Sequence, residues 1–437
     1  MSRSSLTENL YAKLMNEEDA RACKAIDDDA CQAVPGNFLR QLCSQFLTKL
    51  GDAIANPKIV LPWVLEALGA PLYLLGLLVP IRESGSLIPQ LVIASHVRRQ
   101  NVRKWSWVLG SVIQGVTIML MGLAAWQLSG LTAGWVLVGL LVVFSLARGL
   151  CSVAAKDVTG KTIPKQRRGK LNGWSASLAG LVTLAGGVIL VTGQGWLQTP
   201  PEYAILLVAA GLIWLLAALL YAGVKEYPGA TEGGVNALSE ALKRLGILRT
   251  DAAFRRFVIA RALFLCSALT APYYVVLAQQ QSDGSSGLLG LFLLSSGAAS
   301  LISGPVWGHF ADLSSRQVMA CSGLLAALLG VGLWLLDWLN PAWLELVWLL
   351  PLAYFVLSIA HQGVRIGRKT YVTDLAEGNR RTDYVALSNT LIGVVLLLAG
   401  SLGALTSVVE LIDIVLLMSF MGLAGVWLAR GLPEVSD

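Results

Sequence analysis

The two halves of the chain repeat each other at a nearly constant separation of 213 positions. His96 pairs with His309, Arg103 with Arg316, Ala147 with Ala360, Lys156 with Lys369, Arg167-Arg168 with Arg380-Arg381, Ser175 with Ser388 and Gly180 with Gly393. Chance identities would scatter over many separations, and a period this long in an apolar chain points to two equivalent helical bundles. Hydrophobic residues make up 55% of the sequence, charged ones only 14%, and mean hydropathy is +0.65. That is too apolar for a soluble domain of 437 residues, so the bundles belong in a bilayer. A spanning helix needs roughly 20 mostly apolar residues, and qualifying segments begin near residues 38, 72, 105, 133, 171, 204, 254, 287, 317, 344, 383 and 410. The expected fold is all-α and integral to a membrane: twelve transmembrane helices in two pseudo-symmetric six-helix bundles.

Basic residues set the orientation, because Lys and Arg accumulate in cytoplasmic loops. One set of turns carries Arg98, Arg99, Arg103 and Lys104, then Lys161, Lys165, Arg167, Arg168 and Lys170, then Lys225, Lys243, Arg244 and Arg249, and later Arg316, Arg380 and Arg381. The opposite turns carry Glu66, Glu202, Asp283, Glu345, Glu410 and Asp413 without a Lys or Arg. Both termini are therefore expected in the cytoplasm, in a multi-pass protein of the cytoplasmic (inner) membrane. The net charge of +6 sits where anionic inner-leaflet lipid would be, so it implies membrane lipid as a partner and no nucleic acid. Residues 1–37 read as a polar cytoplasmic extension, 38–224 as the first bundle, 225–252 as a cytoplasmic linker, 253–431 as the second bundle and 432–437 as a tail. Within the linker Val235, Leu238, Leu242 and Leu245 recur at helical spacing opposite Lys243 and Arg244, the pattern of an interfacial helix. The six cysteines show no metal-site spacing, and disulfides are not expected on the cytoplasmic side.

Pro57 matches Pro272 at a separation of 215, which places the first span at about 38–66 and the second at about 72–97. Arg82 and Glu83 then lie about 15 Å into the second span at 1.5 Å per residue. Intramembrane charges are costly, roughly 2.5 to 3.5 kcal/mol each, and normally face a cavity. Helical spacing gathers polar residues into stripes: Gln45, Lys49, Asp52 and Asn56 on the first span; Glu83, Ser86 and Gln90 on the second; Ser145, Arg148, Ser152 and Lys156 on the fourth; Tyr354, Ser358, His361, Arg365 and Arg368 on the tenth. The candidate cavity residues are Lys49, Asp52, Asn56, Lys58, Arg82, Glu83, Gln90, Arg148, Tyr273, His361 and Arg365. Arg148 and His361 are repeat equivalents. Adjacent Arg82 and Glu83 point about 100° apart on a helix, so Arg82 is expected to pair with Asp52 and leave Glu83 free to exchange a proton. The bland alternative is that these charges only lock the first, second and fourth spans together, and that His361 merely bridges neighbours.

After residue 38 the chain resembles the major facilitator superfamily. That family carries GxxxDRxGRR between its second and third and its eighth and ninth helices. Here Gly308, Asp312 and Arg316 keep the pattern, with Leu313 after the aspartate; in the first copy Ser95 replaces the glycine and Arg99 the aspartate. Asp157 followed by IPKQRRGKLNG at 163–173 resembles the family's segment before its fifth helix. The resemblance implies a cytoplasmic gate at Gly308, Asp312, Arg316, Asp157, Arg167 and Arg168, and it places Arg148 where the family often has an arginine tied to proton coupling. The Gly-Pro-x-x-Gly-Gly signature of many antiporters is absent, since Gly180, Gly186 and Gly187 occur without the proline.

Thr159-Gly160-Lys161-Thr162 imitates the end of a phosphate-binding loop, but Ala155 stands where the glycine is required and no strand precedes it. ATP binding is excluded on that ground, and no nucleophile, base or metal cluster points to an enzyme. No cofactor is expected. The leading expectation is a monomeric secondary transporter of a small polar solute, anionic or zwitterionic because Lys58, Arg82, Arg148, Arg365 and His361 outnumber Asp52 and Glu83. A proton gradient or the solute's own gradient would drive it. The alternatives are an efflux permease for amphipathic organic compounds and a membrane receptor or scaffold that does not transport.

Overall fold

The computed structural model describes residues 28–89, 93, 96–97, 99–193, 197, 199–228, 245–281, 286–375 and 378–435. Among these every regular element is helical. The first bundle contains α1 (Asp28–Ile54), α2 (Val60–Ala67), a 3-10 turn (Leu72–Leu74) leading into α3 (Leu75–Leu87), α4 (Lys104–Gln127), α5 (Gly130–Thr162), α6 (Lys165–Thr192) and α7 (Pro200–Ala222). The second contains α8 (Ile247–Thr250), α9 (Ala252–Leu263), α10 (Cys266–Leu269), α11 (Ala271–Gln280), α12 (Ser286–Leu339), α13 (Leu349–Asp374), α14 (Gly378–Gly400) with a 3-10 extension (Ser401–Ser407), and α15 (Leu411–Arg430).

Nine helices among the described residues are long and apolar enough to cross a bilayer. The difference from twelve has identifiable causes. α12 carries two expected spans, bent where Ser314 leaves helical geometry. The first two expected spans are interrupted and charged, so they fall outside the nine. Large apolar side chains such as Leu219, Leu398 and Trp427 remain exposed on outer faces, where a lipid solvent would cover them.

The helix that carries the first span begins ten residues before the expected start of that span. α1 is helical from Asp28, because Val34, Phe38 and Leu42 form an apolar face that buries against Ile163 and Leu171. Asn37 fixes this extension to the end of the bundle: its Nδ2 donates to the Lys225 carbonyl at 2.8 Å and its Oδ1 accepts from the Lys225 N–H at 2.8 Å. The interfacial helix expected in the linker falls at 229–244, outside the described residues, apart from Leu245.

Proline interrupts the first span at mid-depth. Pro57 lacks an N–H and disfavours helix in the residue before it. The Asn56 side chain takes the Lys58 N–H at 2.8 Å, and its carbonyl takes the N–H groups of Ile59, Val60 and Leu61. The second bundle breaks at the matching place differently, with Pro272 inside the first turn of α11, where its missing N–H costs little.

The bundles meet tightly at one end and part at the other. At the end bearing the acidic turns, Gly76 and Gly403 approach so closely that a Cβ on Gly76 would lie 2.4 Å from the Gly403 Cα. Gln279 donates to the Trp63 carbonyl at 3.3 Å and Gln280 to Glu66 at 3.1 Å, again across the bundles. Antiparallel α6 and α12 show the parting directly. A Cβ on Gly187 would meet Leu294 at 2.8 Å, one on Gly297 would meet Leu184 at 2.8 Å, and one on Gly180 would meet Leu301 at 3.7 Å. The next facing pair in this register is Gly173 with Gly308, and a Cβ on either meets nothing within 4 Å. The gap therefore opens toward the basic turns.

Candidate functional site

The mid-depth break in the first span turns Lys58 out of helical register into the space between the bundles. That space is a cavity of about 300 Å³. From the first bundle Asp52, Asn56, Lys58, Arg82, Glu83, Ser86 and Arg148 line it, and from the second Ser267, Ser296, Ser300, Tyr354, Ser358, His361, Gln362 and Arg365. The polar stripe of α13 from Tyr354 to Arg365 and the lower part of the α1 stripe thus face one volume, while Arg368 lines a smaller pocket beside it.

Asp52 is the hub of the first wall. Its carboxylate accepts from Arg82 Nη2 at 2.8 Å and from Arg148 through both oxygens. The Arg82 guanidinium also lies 5.1 Å from the centre of the Phe144 ring, a cation–π contact. Two guanidinium groups on one carboxylate tie α1, α3 and α5 together and leave a net positive charge. Arg82 is only 11% exposed in its side chain, so removing its partner would strand a buried cation.

Apart from Arg365, the second wall is built from neutral groups. Lys58 Nζ lies 3.0 Å from His361 Nε2, and His361 Nδ1 lies 3.1 Å from Ser267 Oγ, which donates to the Phe264 carbonyl at 2.9 Å. An ammonium has donors only, so Nε2 accepts and the ring proton sits on Nδ1, pointing at the serine. The chain of donors runs from the first bundle into the second and ends on backbone.

Glu83 and Arg365 complete the site. Both are exposed to the cavity, and no described residue places a hydrogen-bond or ion-pair partner on either side chain. Glu83 belongs to α3 and Arg365 to α13, so the two unpaired charges sit on opposite bundles.

Of the residues singled out in the sequence, Asp52, Asn56, Lys58, Arg82, Glu83, Arg148, His361 and Arg365 come together here. Gln90 lies outside the described residues. Lys49 faces a different volume: its Nζ donates to Ser175 Oγ at 2.5 Å and to the Asn172 carbonyl at 3.0 Å, beside a second cavity inside the first bundle. Tyr273 is buried in the apolar core and does not line the cavity. Its repeat partner Lys58 projects inward because 57–59 is a turn, whereas Tyr273 is already inside α11, so equal position in the repeat does not give equal direction.

At the basic end Gly308 borders the gap between the bundles, and Asp312 is exposed. Arg316 does not pair with Asp312; it pairs with Glu434 at 3.3 Å and donates to the Leu432 carbonyl at 2.9 Å. Asp157 accepts from Arg103 at 3.1 Å, Arg168 donates to the carbonyls of Ile163 and Gly160 at 2.9 and 2.7 Å, and Arg167 lies in the first turn of α6.

Sequence reading missed two acidic residues in this network. The Glu226 carboxylate accepts from the N–H groups of Arg103 and Lys104, at 2.8 and 2.6 Å, and from Lys161 at 3.0 Å, while Glu434 accepts from Ser314 at 2.7 Å besides Arg316. Each stands four residues past the last helix of its bundle, Ala222 or Arg430. That common distance was the available signal, but their separation differs from 213, so the main register hid it.

The sequence profile of the Major Facilitator Superfamily matches residues 42–400. Among curated proteins no sequence matches this chain. Solved structures with similar folds include a mutant of the nucleoside transporter NupG, with TM-score 0.69 and 12% identity over 90% of this chain and 99% of that one. A D-xylose–proton symporter has TM-score 0.67 and 13% identity over 92% of this chain and 99% of that one. A POT family transporter in complex with 5-aminolevulinic acid has TM-score 0.69 and 12% identity over 90% and 94%. At these identities the likeness is one of fold.

Proposed function

The chain belongs to the Major Facilitator Superfamily, a family of multi-pass membrane transporters, and from that premise we propose that it moves a small anionic or zwitterionic solute by alternating access at the central cavity. The observation that carries this reading is the charge left over once internal pairs are removed. Asp52 is held by Arg82 and Arg148. What remains for a ligand is Lys58, Arg365 and the surplus positive charge of that triad against Glu83 alone. A carboxylate or phosphate group on Arg365 and Lys58 would restore balance, and an ammonium group on the same solute would find Glu83. The cavity volume of about 300 Å³ suits a small solute. Its lining of charged, hydroxyl and amide side chains argues against the amphipathic cargo of an efflux permease.

With the basic turns in the cytoplasm, the gap at Gly173 and Gly308 faces inward and both termini are cytoplasmic, in the inner membrane. The glycine contacts at the acidic end are then an outer seal. Glu83, unpaired and next to the solute site, is the group we assign to proton exchange during symport; a carrier driven by the solute's own gradient would not need it. The transporting unit is one chain, since a single chain supplies both walls of the cavity.

Reconstituted vesicles holding a pH-reporting dye test the reading. They are offered in turn a monocarboxylate, a phosphate monoester, an α-amino acid, a neutral sugar and a nucleoside. Saturable flux of a charged class, weakened in Arg365→Ala, supports it. Flux confined to neutral solutes refutes the charge argument, and binding without flux refutes transport in favour of a receptor.

A further inference from the structure

The first bundle contains a cavity of about 530 Å³, whereas at the matching positions Phe264 and Val364 the second bundle borders a pocket of only about 30 Å³. In the first bundle Thr48, Lys49, Trp107, Gln114 and Cys151 line it. Their counterparts in the second are Leu263, Phe264, Ala320, Ala327 and Val364. The contrast centres on Lys49 and Phe264. Phe264 is 2% exposed and packs so hard on Gly323 that a Cβ there would lie 2.1 Å from its ring. Gly110, the repeat partner of Gly323, instead borders Cys151 and leaves the neighbouring volume open. The fold can therefore fill this space with one phenylalanine, whereas the first bundle leaves it open with charged and polar groups in its wall.

Keeping it so has a cost. Polar groups buried in a bundle are unfavourable unless satisfied; Gln114 is satisfied by the Gly110 carbonyl and Cys151, yet the indole N–H of Trp214, another lining residue, is buried without a hydrogen-bond partner. The charges are also one-sided. Lys49, Lys156, Arg168 and Arg148 face the cavity against Asp52, which Arg82 and Arg148 already occupy. Lys49 uses two of its three donors on Ser175 and Asn172, and Lys156 is exposed with no hydrogen-bond or ion-pair partner among the described residues.

We propose that this cavity is a second anion site, distinct from the central one, that takes an oxyanion group carried on a small body with some apolar surface. The ammonium groups of Lys49 and Lys156 hold the oxyanion, with the hydroxyl of Ser152 as a further donor. Trp107 and Ala155 supply apolar wall. Lys156, Arg168 and Asn172 put the cavity on the basic side of Asp52, so its ligand arrives from the face that carries the basic turns. Asp52 and Arg148 line both cavities. An anion drawing Arg148 toward the second site would loosen its hold on Asp52, which couples occupancy to the central wall.

Calorimetric titration of the purified full-length protein with inorganic phosphate, and separately with acetate, tests the site and separates the two oxyanion chemistries. At least one anion is expected to bind saturably to wild type. Lys49→Phe, which copies the second bundle, should weaken that binding by about tenfold or more, the scale of a lost charged hydrogen bond. Lys156→Gln should weaken it by about fivefold, and because Lys156 is exposed this variant decides the matter should Lys49→Phe fail to fold. Arg365→Ala, which weakens the central site alone, should keep a saturable binding event that Lys156→Gln still weakens. The proposal is overturned if neither anion binds saturably, if Lys156→Gln or folded Lys49→Phe binds like wild type, or if Arg365→Ala abolishes binding. That last result would place the anion in the central cavity and leave the transport reading standing.

Discussion

The two bundles share a fold and divide their polar chemistry unequally. In the first, Asp52 holds Arg82 and Arg148, Lys49 is tied to α6, and Glu226 gathers the ends of α4 and α5, so charge stitches the bundle into one stiff body. In the second, the equivalents of Asp52, Lys49 and Arg148 are Ser267, Phe264 and His361, and there the contacts of His361 and Ser267 end on a backbone carbonyl. The bundles touch midway through Lys58–His361 and through Ser84, which donates to the Gly393 carbonyl at 2.8 Å. The difference teaches that charge count and charge availability are separate quantities. The first bundle holds most of the fixed charge but satisfies it internally, whereas the unpaired groups Glu83 and Arg365 come one from each side. A solute that binds both is attracted more strongly as the walls approach, and only such a differential interaction can shift the equilibrium between two states.

The largest effect expected is all or none. If the bundles swing as bodies about their acidic-end contacts, α6 and α12 should close at Gly173 and Gly308 as they already do at Gly187 and Gly290. Gly173→Cys with Gly308→Cys, in a cysteine-depleted background, should cross-link under oxidant during turnover and stop flux, and a reductant should restore it. A pair that never cross-links in a protein still transporting would show that closure does not follow this register. Next comes the charge hub. Asp52→Asn leaves two cations facing each other, one of them buried, and should cost about 3 kcal/mol of stability, read as a lower thermal unfolding midpoint. Unchanged unfolding would mean that the triad does not stiffen the first bundle.

The comparison sharpens with the unpaired charges. Glu83→Gln and Arg365→Ala break no described ion pair, so unfolding should stay within about 0.5 kcal/mol of wild type. Flux should fall by about thirtyfold or more, equivalent to about 2 kcal/mol, and Glu83→Gln should abolish its response to an imposed proton gradient. If either variant is destabilised as far as Asp52→Asn, its side chain is structural and the division between paired and available charge fails.

Helix type, bundle repeat and the polar stripes were readable because helical periodicity and a shared register are properties of the sequence itself. The Arg82–Asp52 pair was readable too, from depth and from the angle separating Arg82 from Glu83. That Arg148 also joins Asp52 was present only in the alternative that the charges lock the first, second and fourth spans together, since it depends on how α5 packs against α1. Tyr273 was misplaced because the repeat aligns positions while the turn at 57–59 changes which way a side chain points. Lys49 shared a stripe with Asp52, but a stripe about three turns long can face two cavities in succession. Glu434 escaped because the repeat register slips between the bundle cores and their tails.

The smallest effect tests the neutral wall. Lys58 donates to His361 Nε2, so the imidazole proton lies on Nδ1 and needs the Ser267 hydroxyl as its acceptor. Ser267→Ala removes that acceptor. The ring then either keeps an unsatisfied N–H or moves its proton to Nε2, where it opposes the Lys58 donor. Both outcomes weaken the contact between bundles by about 1 kcal/mol, the usual size of one neutral hydrogen bond, which corresponds to about a fivefold rise in the KM for transport. The loss should overlap with that of Lys58→Gln, because both variants undo the same chain of donors, and the double variant should be milder than the sum by about 0.5 kcal/mol or more. Strictly additive losses would mean that Lys58 and Ser267 act on the solute separately, and that His361 does not carry the connection between the charged bundle and the neutral one.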